Sequence, residues 1–188
     1  MTLRGGMPIV LGLLVCAWGW EPVQMQVLQA GAQAPAPAWL EEESVTKATV
    51  ETRHLVAETE AVDLAGEAGG QVTLRLRITP RPGMRVYAHD ATGYVPFSMR
   101  LDPLTGLAVR RAAYPSASSY VFPPTGETSR VYEAGVTVEQ VVVLSGALRT
   151  RLLTEDAATL SAALRYQACD DRLCYRPESV RIAWRIVR

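Results

Sequence analysis

The chain has 188 residues, and its 19 Lys and Arg are balanced by 19 Asp and Glu, so the formal net charge is zero. Nucleic acids and anionic membrane surfaces bind proteins through an excess of positive charge, so this balance excludes both as expected partners. The length suits one domain with a hydrophobic core of its own.

The N-terminal segment has the pattern of an export signal. Arg4 supplies a positive charge, residues 7–20 form an uncharged apolar run, and the small residues 30–32 offer a cleavage site. The run is shorter than the about 20 apolar residues that a membrane-spanning helix needs. We therefore interpret residues 1–32 as a cleaved signal peptide, and the alternative is an uncleaved leader that anchors the protein in the membrane.

Export determines how the cysteines are interpreted. Cleavage removes Cys16 and leaves Cys169 and Cys174 in a periplasmic or secreted protein, where an oxidising environment favours a disulfide. Residues 33–43 are small and proline-rich and predict a flexible lead-in. The folded domain is therefore expected at residues 44–188.

Period-two alternation of aliphatic and polar residues is the main signal in the domain, and it predicts strands that each turn one face to a core. The alternation is clearest at residues 72–79, 160–166 and 180–186, where Trp184 faces inward. Weaker strand candidates are residues 48–57, 84–88, 95–101, 107–113 and 136–144. About eight short strands separated by turns predict an all-β, immunoglobulin-like β-sandwich. Only residues 154–160 have weak helical character.

The two remaining cysteines flank a short loop between two confident strands. Four residues separate Cys169 from Cys174. In a hairpin they lie opposite each other, with α-carbons about 4.5 to 5.5 Å apart, which a disulfide permits. Closing so small a loop stabilises a fold by only about 2 kcal/mol. The spacing therefore favours redox function over a structural bridge.

The loop predicts slow thiols. No helix follows Cys169 to lower its pKa, and Asp170 and Asp171 disfavour a thiolate nearby, with partial compensation from Arg172. Exchange is therefore expected to start from the thiolate of a docked partner and to pass through a mixed disulfide.

The sequence of residues 166–177, YQACDDRLCYRP, resembles the active-site hairpin of the N-terminal periplasmic domain of the thiol-disulfide interchange protein DsbD. Weaker similarity extends over residues 45–188. The resemblance implies an immunoglobulin-like domain that passes reducing equivalents from a membrane electron transporter or a thioredoxin-like protein to oxidised periplasmic thiol proteins. It implies that Cys174 forms the mixed disulfide and that Cys169 resolves it.

The resemblance also implies an aromatic cap over the cysteines. Residues 120–126 match the cap loop by position, with Phe122 as the cap and Tyr120 beside it, and Tyr87 matches a tyrosine that lines the site. Tyr175, next to Cys174, is counted with these partner-binding residues. In the family the cysteines are one residue farther apart and the domain is fused to transporter and thioredoxin-like parts. We therefore expect this chain to receive electrons from another polypeptide, and the alternative is a different thiol pathway, such as cytochrome maturation or repair of oxidised cysteines.

No cofactor or metal is predicted. His54 and His89 are far apart in sequence and have no ligands at metal spacing, which favours surface histidines. The alternative to a redox carrier is a secreted immunoglobulin-like module that binds a protein and contains a purely structural disulfide. The reduction potential of the cysteine pair distinguishes the two hypotheses.

Overall fold

The computed structural model describes residues 47–66 and 68–187. The predicted signal peptide and lead-in lie outside the described residues. The described elements, in chain order, are β1 Lys47–Glu51, β2 Leu55–Glu60, β3 Val62–Asp63, a 3₁₀ turn Ala68–Gly70, β4 Gln71–Pro80, β5 Arg85–Tyr87, β6 Ser98–Leu101, β7 Leu107–Val109, β8 Ser118–Phe122, β9 Glu127–Tyr132, β10 Val136–Leu144, α1 Gly146–Thr154, β11 Thr159–Tyr166, β12 Ala168–Cys169 and β13 Glu178–Val187.

The strands form three sheets. A five-stranded antiparallel sheet has the order β1-β2-β4-β10-β7, and a four-stranded sheet has the order β3-β13-β11-β6. The third, which we call the cysteine sheet, has the order β12-β5-β9-β8. Its strands pair antiparallel, so β12 at one edge lies beside β5.

The two larger sheets share one hydrophobic core. The predicted alternation on β4 is confirmed, since its four aliphatic side chains at alternate positions are all buried. Hydrogen bonds also join the sheets: Thr59 Oγ1 donates to the carbonyl of Ala183 over 2.7 Å, and Trp184 Nε1 donates to the carbonyl of Arg75 over 2.9 Å. The predicted inward position of Trp184 is thus confirmed. The fold is all-β and immunoglobulin-like, as the sequence predicts.

Two predictions about the strands and loops need correction. The strand predicted at residues 48–57 is broken, because Thr52 Oγ1 accepts hydrogen bonds from the backbone N–H groups of His54 and Leu55 and turns the chain into β2. Residues 118–132, of which 120–126 were predicted as a loop, form the β8–β9 hairpin with only a short turn between the strands. Gly126 ends that turn with a φ of 72°, a conformation that favours glycine.

The helix lies earlier than predicted. It covers α1, Gly146–Thr154, rather than residues 154–160. Ser145 caps it by accepting a hydrogen bond from the N–H of Leu148 over 3.2 Å. Leu148 and Leu152, one turn apart, are its buried residues. In the described part of the chain, no helix is long and apolar enough to cross a membrane.

Candidate functional site

The segment 168–175, which we call the cysteine hairpin, closes through backbone hydrogen bonds on both sides of the cysteines. Tyr175 N–H donates to the carbonyl of Ala168 over 2.9 Å, and Asp170 N–H donates to the carbonyl of Leu173 over 3.1 Å. Cys169 and Cys174 are therefore a non-hydrogen-bonded antiparallel pair, the arrangement that brings opposite side chains closest together. The predicted opposite placement of the cysteines is confirmed. Both cysteines are free in this structure.

The side chain of Asp170 holds the loop between the cysteines. Its Oδ1 accepts hydrogen bonds from the N–H groups of Arg172 and Leu173 over 2.7 and 2.8 Å, and its Oδ2 accepts one from the hydroxyl of Tyr175 over 2.9 Å. These bonds, led by that from Leu173, lower the pKa of Asp170. The carboxylate of Asp170 therefore stabilises the turn between the cysteines.

The two sulfurs differ in exposure. Cys169 is 0% exposed and lies in a small apolar cluster with Tyr87, Ala91 and Val131. Cys174 is only partly buried against the same cluster. Of the pair, Cys174 is therefore the sulfur that a second protein can reach.

Tyr87 places a hydroxyl beside Cys174. Its oxygen lies 3.1 Å from Sγ of Cys174, and its interaction with Cys169 lowers the pKa of that thiol. The ring stacks on Tyr94 with a centroid separation of 4.1 Å and an interplanar angle of 8°. Tyr94 is itself held by a hydrogen bond from its hydroxyl to Glu127. Burial raises the pKa of Tyr87 far above its usual value, so the phenol stays protonated.

Arg85 connects the loop to the cysteine sheet. It lies opposite Cys169 in the register of β5 and β12. Its guanidinium donates to Asp171 Oδ1 and to Glu133 Oε1, both over 2.8 Å, and sits 4.0 Å from the ring centroid of Tyr120. The hydroxyl of Tyr120 donates to the same oxygen of Asp171 over 2.9 Å. The tip of the loop is thereby tied to both β5 and β8.

Burial raises the pKa of the Cys169 thiol to about 11. The hydrogen bond from Tyr87 and the positive charge of Arg85 act in the opposite direction, but the loss of water outweighs them. The sequence correctly predicts a poorly ionised thiol here, but for the wrong main reason. The carboxylates of Asp170 and Asp171 are engaged with their own hydrogen-bond donors, and burial is the leading cause.

The structure brings some of the predicted partner-binding residues to the cysteines and separates others. Tyr87 and Tyr120 pack in the cysteine cluster, whereas Phe122, 8% exposed at the end of β8, is not part of it. Tyr175 is outside this cluster and packs against His54, with ring centroids 4.4 Å apart and an interplanar angle of 43°. Sequence reasoning missed Tyr94 and Arg85. Arg85 could have been found, because it lies two residues from Tyr87 and therefore on the same face of β5.

The prediction of a surface position for His54 is wrong. Its side chain is 3% exposed, and Nδ1 lies 3.2 Å from Oε1 of Glu178 without the geometry of a hydrogen bond. His89 is one-third exposed and stacks on Tyr114. In the described ranges, no three His, Cys, Asp or Glu side chains are grouped to hold a metal ion.

An immunoglobulin-like β-domain with a pair of facing thiols at a partly exposed hairpin has the features of the class of thiol-disulfide interchange domains. The chain belongs to the family described as "Thiol:disulfide interchange protein DsbD, N-terminal", whose model matches residues 52–184, well over half of its length.

Two solved structures are similar at low identity. The N-terminal periplasmic domain of ScsB from Proteus mirabilis is 18% identical with a TM-score of 0.48, and the match covers 73% of this chain. This chain spans only 50% of that structure. The collagen-binding subdomain ACE19 of the Enterococcus faecalis surface protein ACE is 9% identical with a TM-score of 0.37, over 74% of this chain and 99% of that one. A search of curated proteins gives no match.

Proposed function

We propose that this domain is a periplasmic or secreted carrier of reducing equivalents. Its Cys169–Cys174 pair accepts electrons from a thioredoxin-like protein or a membrane electron transporter and passes them to oxidised client proteins. The observation that carries the proposal is the non-hydrogen-bonded pairing of one buried and one partly exposed cysteine. Membership of the DsbD N-terminal family supports it.

Reduction of the bridge begins at Cys174, because Cys169 is fully buried. A partner thiolate attacks Sγ of Cys174, a new sulfur–sulfur bond forms, the bond to Cys169 breaks, and its electron pair goes to Cys169. A second thiol of the partner, as thiolate, then attacks the partner's own sulfur in the mixed disulfide. This releases Cys174 as a thiolate, so the partner leaves oxidised and the domain is reduced by two electrons.

Transfer to a client reverses these roles. The thiolate of Cys174 attacks the client disulfide and releases one client thiolate, and Cys169 then resolves the mixed disulfide. The second client thiolate leaves, and the Cys169–Cys174 bridge is restored. Because the two sulfurs already face each other, the resolving step needs no rearrangement of the hairpin backbone.

A trapping experiment in the periplasm of an export-competent host tests the proposal. Cys169→Ser leaves Cys174 able to form a mixed disulfide that no second thiol of the domain resolves, so covalent partner complexes should accumulate. Cys174→Ser is the matched control and should trap far less, because Cys169 is buried. Equal trapping by the two variants, or none by either, would overturn the proposal.

The reduction potential separates the carrier from a module with a structural disulfide. A carrier is expected near the about −270 mV of thioredoxin, with little change in Tm on reduction. A potential well below about −300 mV together with a large fall in Tm would assign the bridge to stability instead.

A further inference from the structure

The chemistry at Cys169 requires stabilisation of a buried negative charge. When the bridge is attacked at Cys174, the electron pair of the broken bond arrives on a sulfur that is 0% exposed. Ala91 and Val131, which line the cluster around this sulfur, offer no hydrogen bond from their side chains. A thiolate there is costly unless a fixed donor replaces the missing water.

Of the tyrosines around the cysteine hairpin, one has a hydroxyl directed at sulfur. The hydroxyls of Tyr94, Tyr120 and Tyr175 donate to the carboxylates of Glu127, Asp171 and Asp170, respectively. Tyr87 instead places its hydroxyl 3.1 Å from Sγ of Cys174, and it also lowers the pKa of Cys169.

Burial, a ring contact and a backbone hydrogen bond hold Tyr87 and its hydroxyl in place. Tyr87 is 1% exposed, its ring is stacked on Tyr94, and its backbone N–H donates to the carbonyl of Gln167 over 3.0 Å. Arg85, on the same face of β5, is bound by Glu133 and Asp171. A donor held in place before the reaction needs no reorganisation as charge develops.

We propose that Tyr87 is a catalytic residue, whose hydroxyl donates a hydrogen bond to each cysteine as it becomes a thiolate. This inference rests on the proposed exchange function and adds a residue to it. As the partner bonds to Cys174 and the bridge breaks, the electron pair goes to Cys169 and the Tyr87 hydroxyl turns to that sulfur. The proton remains on the phenol oxygen, and solvent water later supplies a proton to the thiolate. When Cys174 leaves the mixed disulfide, the hydroxyl returns to Cys174.

The test is the rate at which dithiothreitol reduces the bridge in the purified domain. Tyr87→Phe removes the hydroxyl and keeps the ring, so the rate should fall about 10- to 100-fold, as expected for a lost hydrogen bond to a charged group. In a Cys174→Ser background, the alkylation pH profile of Cys169 should move to higher pH in the same variant. Tyr132→Phe is the control. It removes a buried hydroxyl of the same sheet that pairs with His89, and it should leave both readouts unchanged.

A second variant keeps the test valid if Tyr87→Phe does not fold. Replacement of Tyr87 by 3-fluorotyrosine keeps the hydroxyl and makes it a stronger donor, so the rate of bridge reduction should rise. A folded Tyr87→Phe with the wild-type rate and pH profile, or a fluorinated protein that reacts no faster, would overturn the assignment of Tyr87. Neither result bears on the proposed carrier function. That function is tested separately and would fail if Cys169→Ser trapped no partner.

Discussion

Burial of Cys169 makes the stability of the reduced domain depend on alkaline pH. In the folded chain, burial raises the pKa of this thiol from the ordinary value of 9.0 to about 11. Between these values the unfolded chain releases the proton while the folded chain retains it. The free energy of unfolding should therefore fall as the pH rises above 9, and this loss should level off above 11.

The size of the effect follows from the two pKa values. At pH 10 most of the unfolded thiols are ionised and most of the folded thiols are not, which corresponds to a loss on the order of 1 kcal/mol relative to pH 7. Urea unfolding at pH 8 and pH 10, with a phosphine reductant present, measures it. Cys169→Ser is the control, because serine does not titrate in this range.

The expected result is a difference between the two proteins. Wild type should lose on the order of 1 kcal/mol more than Cys169→Ser between pH 8 and pH 10. Tyrosine and lysine titrations contribute to both proteins and cancel in the comparison. Equal losses would show that the folded thiol ionises as readily as the unfolded one, and the argument from burial would fail.

Two further predictions concern residues that support the hairpin. Asp170→Ala should lower the Tm at neutral pH, because it removes three hydrogen bonds. The pKa of Asp170 is lowered in the folded state, so the advantage of wild type should disappear as the pH falls well below 4. Thermal scans that showed the same difference in Tm at every pH would contradict this prediction. His54→Leu should raise the free energy of unfolding by about 1 kcal/mol, because the buried ring nitrogens lack hydrogen bonds, and a lower value in urea titrations would count against that interpretation.

Local patterns predicted the parts of the site that depend on nearby residues. Alternation along the chain identified β4, β11 and β13, and the spacing of Cys169 and Cys174 was enough to place them opposite each other. A hairpin is formed by residues close in sequence, so its register follows from the length of its loop. The helix α1 was missed because its only strong signals are the Ser145 cap and two leucines one turn apart.

Contacts between distant segments were harder to predict. Arg85 and Tyr87 reach the cysteines only because β5 pairs with β12, more than eighty residues later in the chain. Tyr94 lies between β5 and β6, and no short-range pattern shows that its ring stacks on Tyr87. His54 was misjudged for the same reason, since its burial depends on Tyr175 and Glu178 from the far end of the chain.

The closure of the cysteine hairpin by backbone bonds and by Asp170 has a consequence for the lifetime of covalent complexes. The resolving sulfur stays beside the attacking one even when no bond joins them, so its effective molarity is high. In the proposed function, a partner held in a mixed disulfide is therefore released once Cys169 ionises and attacks Cys174. The lifetime of such a complex should therefore be set by the ionisation of this buried thiol, which its raised pKa makes rare at neutral pH.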